Sequence, residues 1–261
     1  MKMFRSIIVL AAAAVLSLSV ASAAYAQSAL QDILNSGTLK VGTTGDWNPM
    51  TMKDPATNSY KGYDIDVMTE LAKDLGVEVE FVPTDWKTLV SGVTSSKYHM
   101  TGSASISPAR AKAAGYSTSY FSLATVPLIL AKNADKYKDW ADLDKAGVTV
   151  AATLGTTQEK QVKQFFPSAS HKIVEAPARD FQEVLAGRAD AHITSNVEAN
   201  KLVAKYPQMM VVPVMAPKAP TPIAILLPQA DQVWINYVNT WIALKQERGF
   251  FDTLGKKWKL L

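Results

Sequence analysis

The chain alternates short strand-like segments with amphipathic helical segments, and this order limits the folds open to it. Residues 38–42 and 77–82 alternate as strands do, and the apolar residues between 65 and 75 recur at helical spacing until Gly76. A strand, a helix and a second strand in this order form a β-α-β unit, which favours an α/β sheet with short parallel strands. The same order returns later, for example at residues 148–152. The pattern predicts an α/β fold.

Repetition of the pattern predicts two lobes joined by two chain crossings. The first lobe comprises residues 27–124 plus 219–261, and the second comprises residues 125–218. Four prolines between residues 213 and 222 stiffen one crossing, because proline fixes φ. A single ten-stranded sheet is the alternative that the pattern leaves open.

The first 26 residues have the layout of a secretory signal peptide. Lys2 and Arg5 are followed by an apolar run over residues 7–20 and by a small-residue cleavage site that ends at Ala26. The apolar run is too short to span a bilayer comfortably, so we expect no insertion into the membrane. We predict cleavage after Ala26 and an exported mature chain that begins at Gln27.

Composition excludes several functional classes. Without residues 1–26, 25 basic and 23 acidic side chains remain, a charge too small for a nucleic-acid surface. The chain has no cysteine, and its three histidines lie far apart without the spacing of metal ligands. We therefore expect no nucleic acid, no metal and no cofactor.

Arg110 is the first candidate binding residue. It follows a helix start at Ser107-Pro108 and precedes a polar, aromatic turn. A guanidinium group donates two parallel hydrogen bonds to a carboxylate, which suits it to gripping an anionic ligand. The alternative is a solvated arginine on a capped surface helix.

The run around Arg110 resembles the S-I-[ST]-x-E-R-x-K motif of periplasmic solute-binding proteins of family 3, the amino-acid type. Other segments resemble motifs of the same family in the same order and cover almost all of the mature chain: residues 37–46 (G-x-L-x-V-G-T), 62–64 (G-[FY]-D), 155–159 (G-T-T-x-E), 187–190 (G-[KR]-[AV]-D) and 248–258 (G-x-[YF]-x-x-[IL]-x-x-K-W).

The resemblance implies a type II periplasmic-binding-protein fold, in which two α/β lobes close on a ligand in the cleft between them. It implies a monomer in the periplasm that captures a small organic carboxylate or amino acid. The ligand would pass to the permease of an ABC importer in the inner membrane. In this family the arginine at the position of Arg110 holds the ligand's carboxylate.

Hydroxyl side chains near two helix starts are further candidates. Ser103 and Ser105 project on one face if their run is extended, and there they add donors beside Arg110. Thr156 and Thr157 precede a helix, whose positive end attracts anions. Simple capping of the helix is the alternative role for both threonines.

Ser195 and Asn196 depart from the family. Amino-acid binders carry an aspartate near this position that receives the ligand's ammonium group, whereas this chain offers neutral side chains. Burying an ammonium without a carboxylate partner is costly. Three interpretations stay open: the ligand lacks an α-amine, Asp46 takes over the role, or Glu198 serves instead.

One branch of the family suggests an enzyme. Residues 43–47 and 84–86 resemble cyclohexadienyl dehydratase, which removes water from prephenate or arogenate on the same fold. Trp47 and Trp86 would stack on the ligand, or bury their rings against their own lobe instead. Glu159 occupies the place of the catalytic acid. It is equally well placed as a capping residue, and the residues before it lack the dehydratase's N-P-G sequence.

Overall fold

The computed structural model describes residues 27–260, and the predicted signal peptide lies outside them. None of the helices in this range is long and apolar enough to cross a membrane. The strands in this range are β1 (Thr38–Thr43), β2 (Asp46–Trp47), β3 (Thr51–Lys53), β4 (Tyr60–Lys61), β5 (Glu78–Pro83), β6 (Met100–Ser105), β7 (Gly115–Tyr116), β8 (Phe121–Leu130), β9 (Thr149–Thr153), β10 (Ser170–Val174), β11 (Ala191–Ser195), β12 (Met209–Val211) and β13 (Lys218–Leu227).

Helices fill most of the connections. They are α1 (Ala29–Ser36), α2 (Tyr63–Leu75), α3 (Leu89–Thr94), α4 (Pro108–Ala111), α5 (Trp140–Leu143), α6 (Thr157–Phe165), α7 (Asp180–Leu185), α8 (Asn196–Lys205), α9 (Gln232–Glu247) and α10 (Phe250–Trp258). Gly76 ends α2 with a φ of 71°, in the left-handed region that favours glycine. This is the helix end predicted from the sequence.

The hydrogen-bonded ladder runs in the order β10-β9-β11-β8-β13-β6-β1-β5, with β12 beside β8 and β7 beside β13. At one end β1 is parallel to both β5 and β6, and at the other β9 is parallel to both β10 and β11. These are the predicted parallel units. The long strands β8 and β13 join them in antiparallel pairing, which the sequence did not predict.

The proline-rich crossing differs from the prediction. Half of the predicted linker is strand, because β13 begins at Lys218 and contains Pro220 and Pro222. Its ladder with β8 shifts register between Lys218 and Thr221, and such irregular pairing tolerates residues without an N–H group. The ladder is therefore continuous over ten strands, as in the single-sheet alternative.

Buried apolar residues nevertheless form separate cores. The largest cluster packs α2, α9 and α10 around residues such as Tyr63 and Trp234. Two other clusters lie wholly between residues 126 and 212, around Phe166 and Val184. The predicted lobe boundaries fall within β8 and next to the start of β13, and they remain a prediction.

The pair Thr84-Asp85 predicts a helix from Trp86 to about Ser95, but a local turn keeps Trp86 out of the helix. Asp85 Oδ1 accepts the backbone N–H of Thr88 at 2.8 Å and the Thr88 hydroxyl at 2.8 Å. Such an aspartate turn competes with helical hydrogen bonding, so α3 begins only at Leu89. Trp86 therefore lies in a loop beside the site described next.

Candidate ligand-binding site

A polar cavity lies between the segment 47–110 and the segment 153–198. Its empty volume is about 480 Å3, its open mouth included. The carboxyl ends of β6, β9 and β11 and the loops after them supply much of its wall. Of the predicted residues, the first segment contributes Trp47, Trp86, Ser103, Ser105 and Arg110, and the second contributes Thr156, Thr157 and Ser195.

Arg110 is buried in the wall of this cavity, with 8% of its surface exposed. Its Nη1 donates to the carbonyl of Ser105 at 3.3 Å and its Nη2 to the carbonyl of Gly155 at 3.2 Å. Burial lowers the pKa of Arg110, because the charged form loses its hydration. Among residues 27–260 no carboxylate forms an ion pair with it. The geometry thus leaves a buried cation with neutral partners at the cavity.

Ser103 and Ser105 both reach the cavity, but the run between them is not regularly extended. Ser103 has a φ of 56°, and the ladder between β6 and β13 shifts register at this point. The Ser103 N–H donates to the hydroxyl of Tyr120 at 3.1 Å. The Ser103 hydroxyl is buried without a hydrogen-bond partner in the described range.

Two tryptophans form an aromatic wall. The rings of Trp47 and Trp86 meet edge to face, with centroids 5.8 Å apart. Trp86 Nε1 donates to both carboxylate oxygens of Asp46, at 3.1 and 3.2 Å. Asp46 itself does not line the cavity. Its hydrogen bonds with Trp86 orient the indole ring, which lines the cavity.

Thr156 caps a helix, and both Thr156 and Thr157 border the cavity. Thr156 Oγ1 accepts the N–H of Glu159 at 3.3 Å and so begins α6. Thr157 Oγ1 donates to Ser105 Oγ at 3.4 Å across the cavity. The capping alternative therefore holds for Thr156, and contact of either threonine with a ligand stays a prediction.

Glu159 does not line the polar cavity but lies in an adjoining depression beside Lys160, which shares Trp86, Arg110 and Thr156 with that cavity. Partial burial alone would raise its pKa, but hydrogen bonds from Lys163 Nζ (2.8 Å) and the Gly155 N–H (3.0 Å) lower the pKa below its ordinary value. A carboxylate held ionised in this way is a poor proton donor. The arrangement is that of a helix-capping residue.

Ser195 and Asn196 differ in their placement. Ser195 lines the cavity and caps α8 by accepting the N–H of Glu198 at 3.2 Å. Asn196 lies outside the lining, and its Oδ1 accepts the N–H of Ala124 at 3.1 Å. This contact joins α8 to β8 and leaves Asn196 away from the cavity.

Arg179 is the main cavity residue that the sequence analysis did not name. Its Nη1 lies 2.8 Å from Asp46 Oδ2, and its Nη2 lies 2.8 Å from Glu198 Oε1. Burial alone would lower the pKa of Arg179, but the nearby carboxylates raise it. The position of Arg179 after β10 is the signal that could have found it, because ligands of α/β sheets bind beyond the carboxyl ends of parallel strands.

His192 and Asp180 lie on another part of the cavity wall. His192 Nδ1 is 3.0 Å from Asp180 Oδ2, and both side chains are buried. Burial alone would raise the pKa of Asp180, but His192 and Arg179 lower it. Thr153 also lines the cavity, and its hydroxyl has no partner in the range that the structure describes.

The two sides of the cavity touch at several points. Besides the Arg110 and Thr157 contacts, Lys87 Nζ on one side lies 3.0 Å from Glu175 Oε1 on the other. A Cβ added to Gly155 would lie 2.6 Å from the backbone N of Lys87. The sides are therefore in backbone contact, as in a closed binding protein.

A fold with this cavity between two α/β sides defines a class of binding proteins, and comparison identifies the family. Residues 39–260 match the model of the bacterial extracellular solute-binding proteins, family 3. The chain belongs to this family, and its fold is the two-lobe type II fold of periplasmic binding proteins.

Relatives within the family include both an enzyme and transport proteins. Cyclohexadienyl dehydratase of Pseudomonas aeruginosa is 29% identical over 98% of this chain and 95% of its own. An L-cystine-binding protein of Escherichia coli K12 is 27% identical over 96% of this chain and 92% of its own. A crystal structure of an ancestral amino acid-binding protein, a precursor of cyclohexadienyl dehydratase, matches with a TM-score of 0.81 and 38% identity over 88% of this chain and 99% of that one.

Proposed function

We propose that this solute-binding protein captures a small carboxylate in the periplasm and delivers it to an ABC importer. Arg110 holds the ligand's carboxylate, and the lobes close around it. The ligand is small, because the cavity has an empty volume of about 480 Å3 with its mouth included. Export by the predicted signal peptide and delivery to a permease fit the family.

The state of Arg110 carries this proposal. Within residues 27–260 the buried guanidinium of Arg110 has neutral partners, which leave much of its desolvation cost, and an anion would offset that cost. Ser103, with its unpaired hydroxyl, lies on the same strand as Ser105 and lines the same cavity. A carboxylate at this point satisfies both groups through charge-assisted hydrogen bonds.

The aromatic wall provides the apolar contact for the ligand. Trp47 and Trp86 pack edge to face, and the hydrogen bond from Trp86 to Asp46 orients that indole. A ligand with an apolar part beside its carboxylate packs against this wall.

The similarity to cyclohexadienyl dehydratase supports a second candidate, the dehydration of prephenate or arogenate. The placement of Glu159 weighs against it, because this carboxylate is ionised and faces a lysine outside the cavity. Release of phenylpyruvate from prephenate by the purified protein would establish the enzyme. Turnover that persisted in Glu159→Gln would assign the proton donor to another residue.

A thermal-unfolding screen of small carboxylates and amino acids tests the binding function. A ligand present at a hundredfold excess over its Kd stabilises the folded state by about 2.7 kcal/mol. That corresponds to a rise in Tm of roughly 5–10 °C for a chain of this length. We expect such a shift with at least one carboxylate and its loss in Arg110→Ala. Equal shifts in both proteins would overturn the role of Arg110.

A further inference from the structure

The carboxylates that line the polar cavity already have partners. Glu198 Oε1 is 2.8 Å from Arg179 Nη2, and its Oε2 accepts the hydroxyl of Thr194 at 2.6 Å. Asp180 Oδ2 is 3.0 Å from His192 Nδ1. Arg110 is the lining cation without a carboxylate in the described part of the chain. In the described residues, the cavity therefore has a cation without a carboxylate partner, whereas its carboxylates already have partners. An anionic ligand group fits it better than a cationic one.

Asp46 does not provide a free carboxylate either. Arg179 Nη1 is 2.8 Å from Asp46 Oδ2, and the Asp46 carbonyl also accepts a hydrogen bond from Arg179. Both carboxylate oxygens accept from Trp86 Nε1. The guanidinium of Arg179 thus occupies the point between Asp46 and Glu198 where a ligand's ammonium would need to bind. Two cations at that point would repel each other in a poorly hydrated site.

The polar atoms left without partners suit oxygen atoms of a ligand. Within residues 27–260, Arg179 Nε, His192 Nε2 and the hydroxyls of Ser103 and Thr153 are buried and lack hydrogen bonds. The Arg179 nitrogen is a donor only, and each hydroxyl is able to donate. All four residues line the polar cavity. A carbonyl, hydroxyl or second carboxylate oxygen meets this need, because each of these groups accepts hydrogen bonds.

We propose that Arg179 excludes amine-bearing ligands, and that the cavity selects a carboxylate whose neighbouring carbon carries a carbonyl or hydroxyl oxygen instead of an ammonium group. The inference rests on the proposed binding of a carboxylate at Arg110. The contacts of Arg179 discriminate among the three interpretations left open at Ser195, namely a ligand without an α-amine, Asp46 as the partner of its ammonium, or Glu198 as that partner. Asp46 and Glu198 both hold the protein's own cation, so the interpretation without an α-amine is the one that the contacts favour.

Calorimetric titration of the wild-type protein with matched acids is the first test. Each set shares one carbon skeleton and differs only at the second carbon: pyruvate, lactate and alanine; 2-oxoglutarate, 2-hydroxyglutarate and glutamate; phenylpyruvate, phenyllactate and phenylalanine. We expect the oxo or hydroxy acid of the best-binding set to bind at least tenfold more tightly than its amino acid. An amino acid that binds equally or more tightly overturns the proposal.

Substitution of Arg179 is the second test. Arg179→Ala leaves Glu198 without its guanidinium partner, so preference should move toward the amino acid by at least tenfold. Arg179→Lys keeps a cation and should retain the wild-type preference. Arg188→Ala is the matched control, because Arg188 is exposed and its ion pair within residues 27–260 is with Glu183 at the surface. An unchanged preference in folded Arg179→Ala contradicts the proposal.

Circular dichroism establishes whether Arg179→Ala is folded, because loss of one partner of a buried ion pair is destabilising. If that variant does not fold, the wild-type titrations and Arg179→Lys decide the matter. Failure of the broader function has a different signature. In that case no acid of any set binds to wild type or to Arg110→Ala. If amino acids bind best and Arg110→Ala abolishes their binding, only the selectivity proposal fails.

Discussion

The hydroxyl of Tyr120 donates a 2.6 Å hydrogen bond to Asp64 Oδ1 in the interior of the protein. The same hydroxyl accepts the N–H of Ser103 at 3.1 Å. The chain of contacts links the start of α2 to the wall of the polar cavity. It supports Ser103 in its left-handed conformation, which costs on the order of 1–3 kcal/mol for a residue other than glycine.

Asp64 should make stability depend on pH. Burial raises its pKa from 3.8 to about 7, although the Tyr120 bond lowers it in part. Between about pH 4 and 7, Asp64 therefore keeps its proton in the folded state and has lost it in the unfolded state. The stabilising contribution is complete below pH 4 and is lost as the pH rises to 7, at about 1.4 kcal/mol for each pKa unit.

Asp64→Asn removes this titration. We expect the free energy of unfolding of the variant, relative to wild type, to increase by a few kcal/mol between pH 4 and pH 7. Urea unfolding at several pH values measures it, with the exposed Asp135→Asn as control. A difference between wild type and Asp64→Asn that is constant across this range would show that Asp64 does not titrate there.

Gly155 should limit how closely the lobes approach. An added Cβ would lie 2.6 and 2.7 Å from the backbone N and Cα of Lys87, which cannot yield as a flexible side chain does. We expect Gly155→Ala to weaken ligand binding at least tenfold and to enlarge the radius of gyration of the liganded protein in X-ray scattering. The reason is that closure brings these backbones into contact.

Gly147→Ala is the matched control for this substitution. Gly147 has a φ of 83° against 80° for Gly155, but a Cβ added there has no atom within 4 Å. Both variants bear similar backbone strain, and only one obstructs closure. Equal ligand affinities in the two variants would refute the role of Gly155 in closure.

Trp86 should report ligand binding. Its indole lines the cavity and is fixed by Asp46, so a bound ligand changes its environment. Trp86→Phe should weaken binding about two- to twelvefold, through loss of about 0.5–1.5 kcal/mol of aromatic contact. It should also abolish most of the ligand-induced change in tryptophan fluorescence. Trp258→Phe is the comparison variant. A full ligand-induced fluorescence change in Trp86→Phe would show that another tryptophan reports binding.

Local patterns in the sequence predicted much of the fold. Helix spacing and the glycine stop at Gly76 located α2, and alternation located β1 and β5. Pairing between β8 and β13 was not predicted, because it joins residues about a hundred positions apart and β13 contains prolines that are unfavourable in regular strands. The loop at Trp86 was missed because the side chain of Asp85 replaces a helical hydrogen bond.

The sequence predicted those site residues that stand near a helix start and whose side chains have a specific chemistry there. Arg110 and the threonines of α6 lie at the cavity for this reason. Arg179 was missed because its partners Asp46 and Glu198 are distant in sequence and come together only when the chain folds. Asn196 was expected at the cavity, but its bond to the Ala124 backbone directs it elsewhere.

Calorimetric titration of Arg110→Ala with the tightest-binding carboxylate from the thermal screen tests the central claim most directly. A buried charge-assisted contact is worth about 2–5 kcal/mol when truncated, so affinity should fall at least about thirtyfold. The exposed Arg248→Ala, remote from the cavity, should bind as wild type does. Arg110→Ala that is folded and binds the same carboxylate with unchanged affinity would contradict the account.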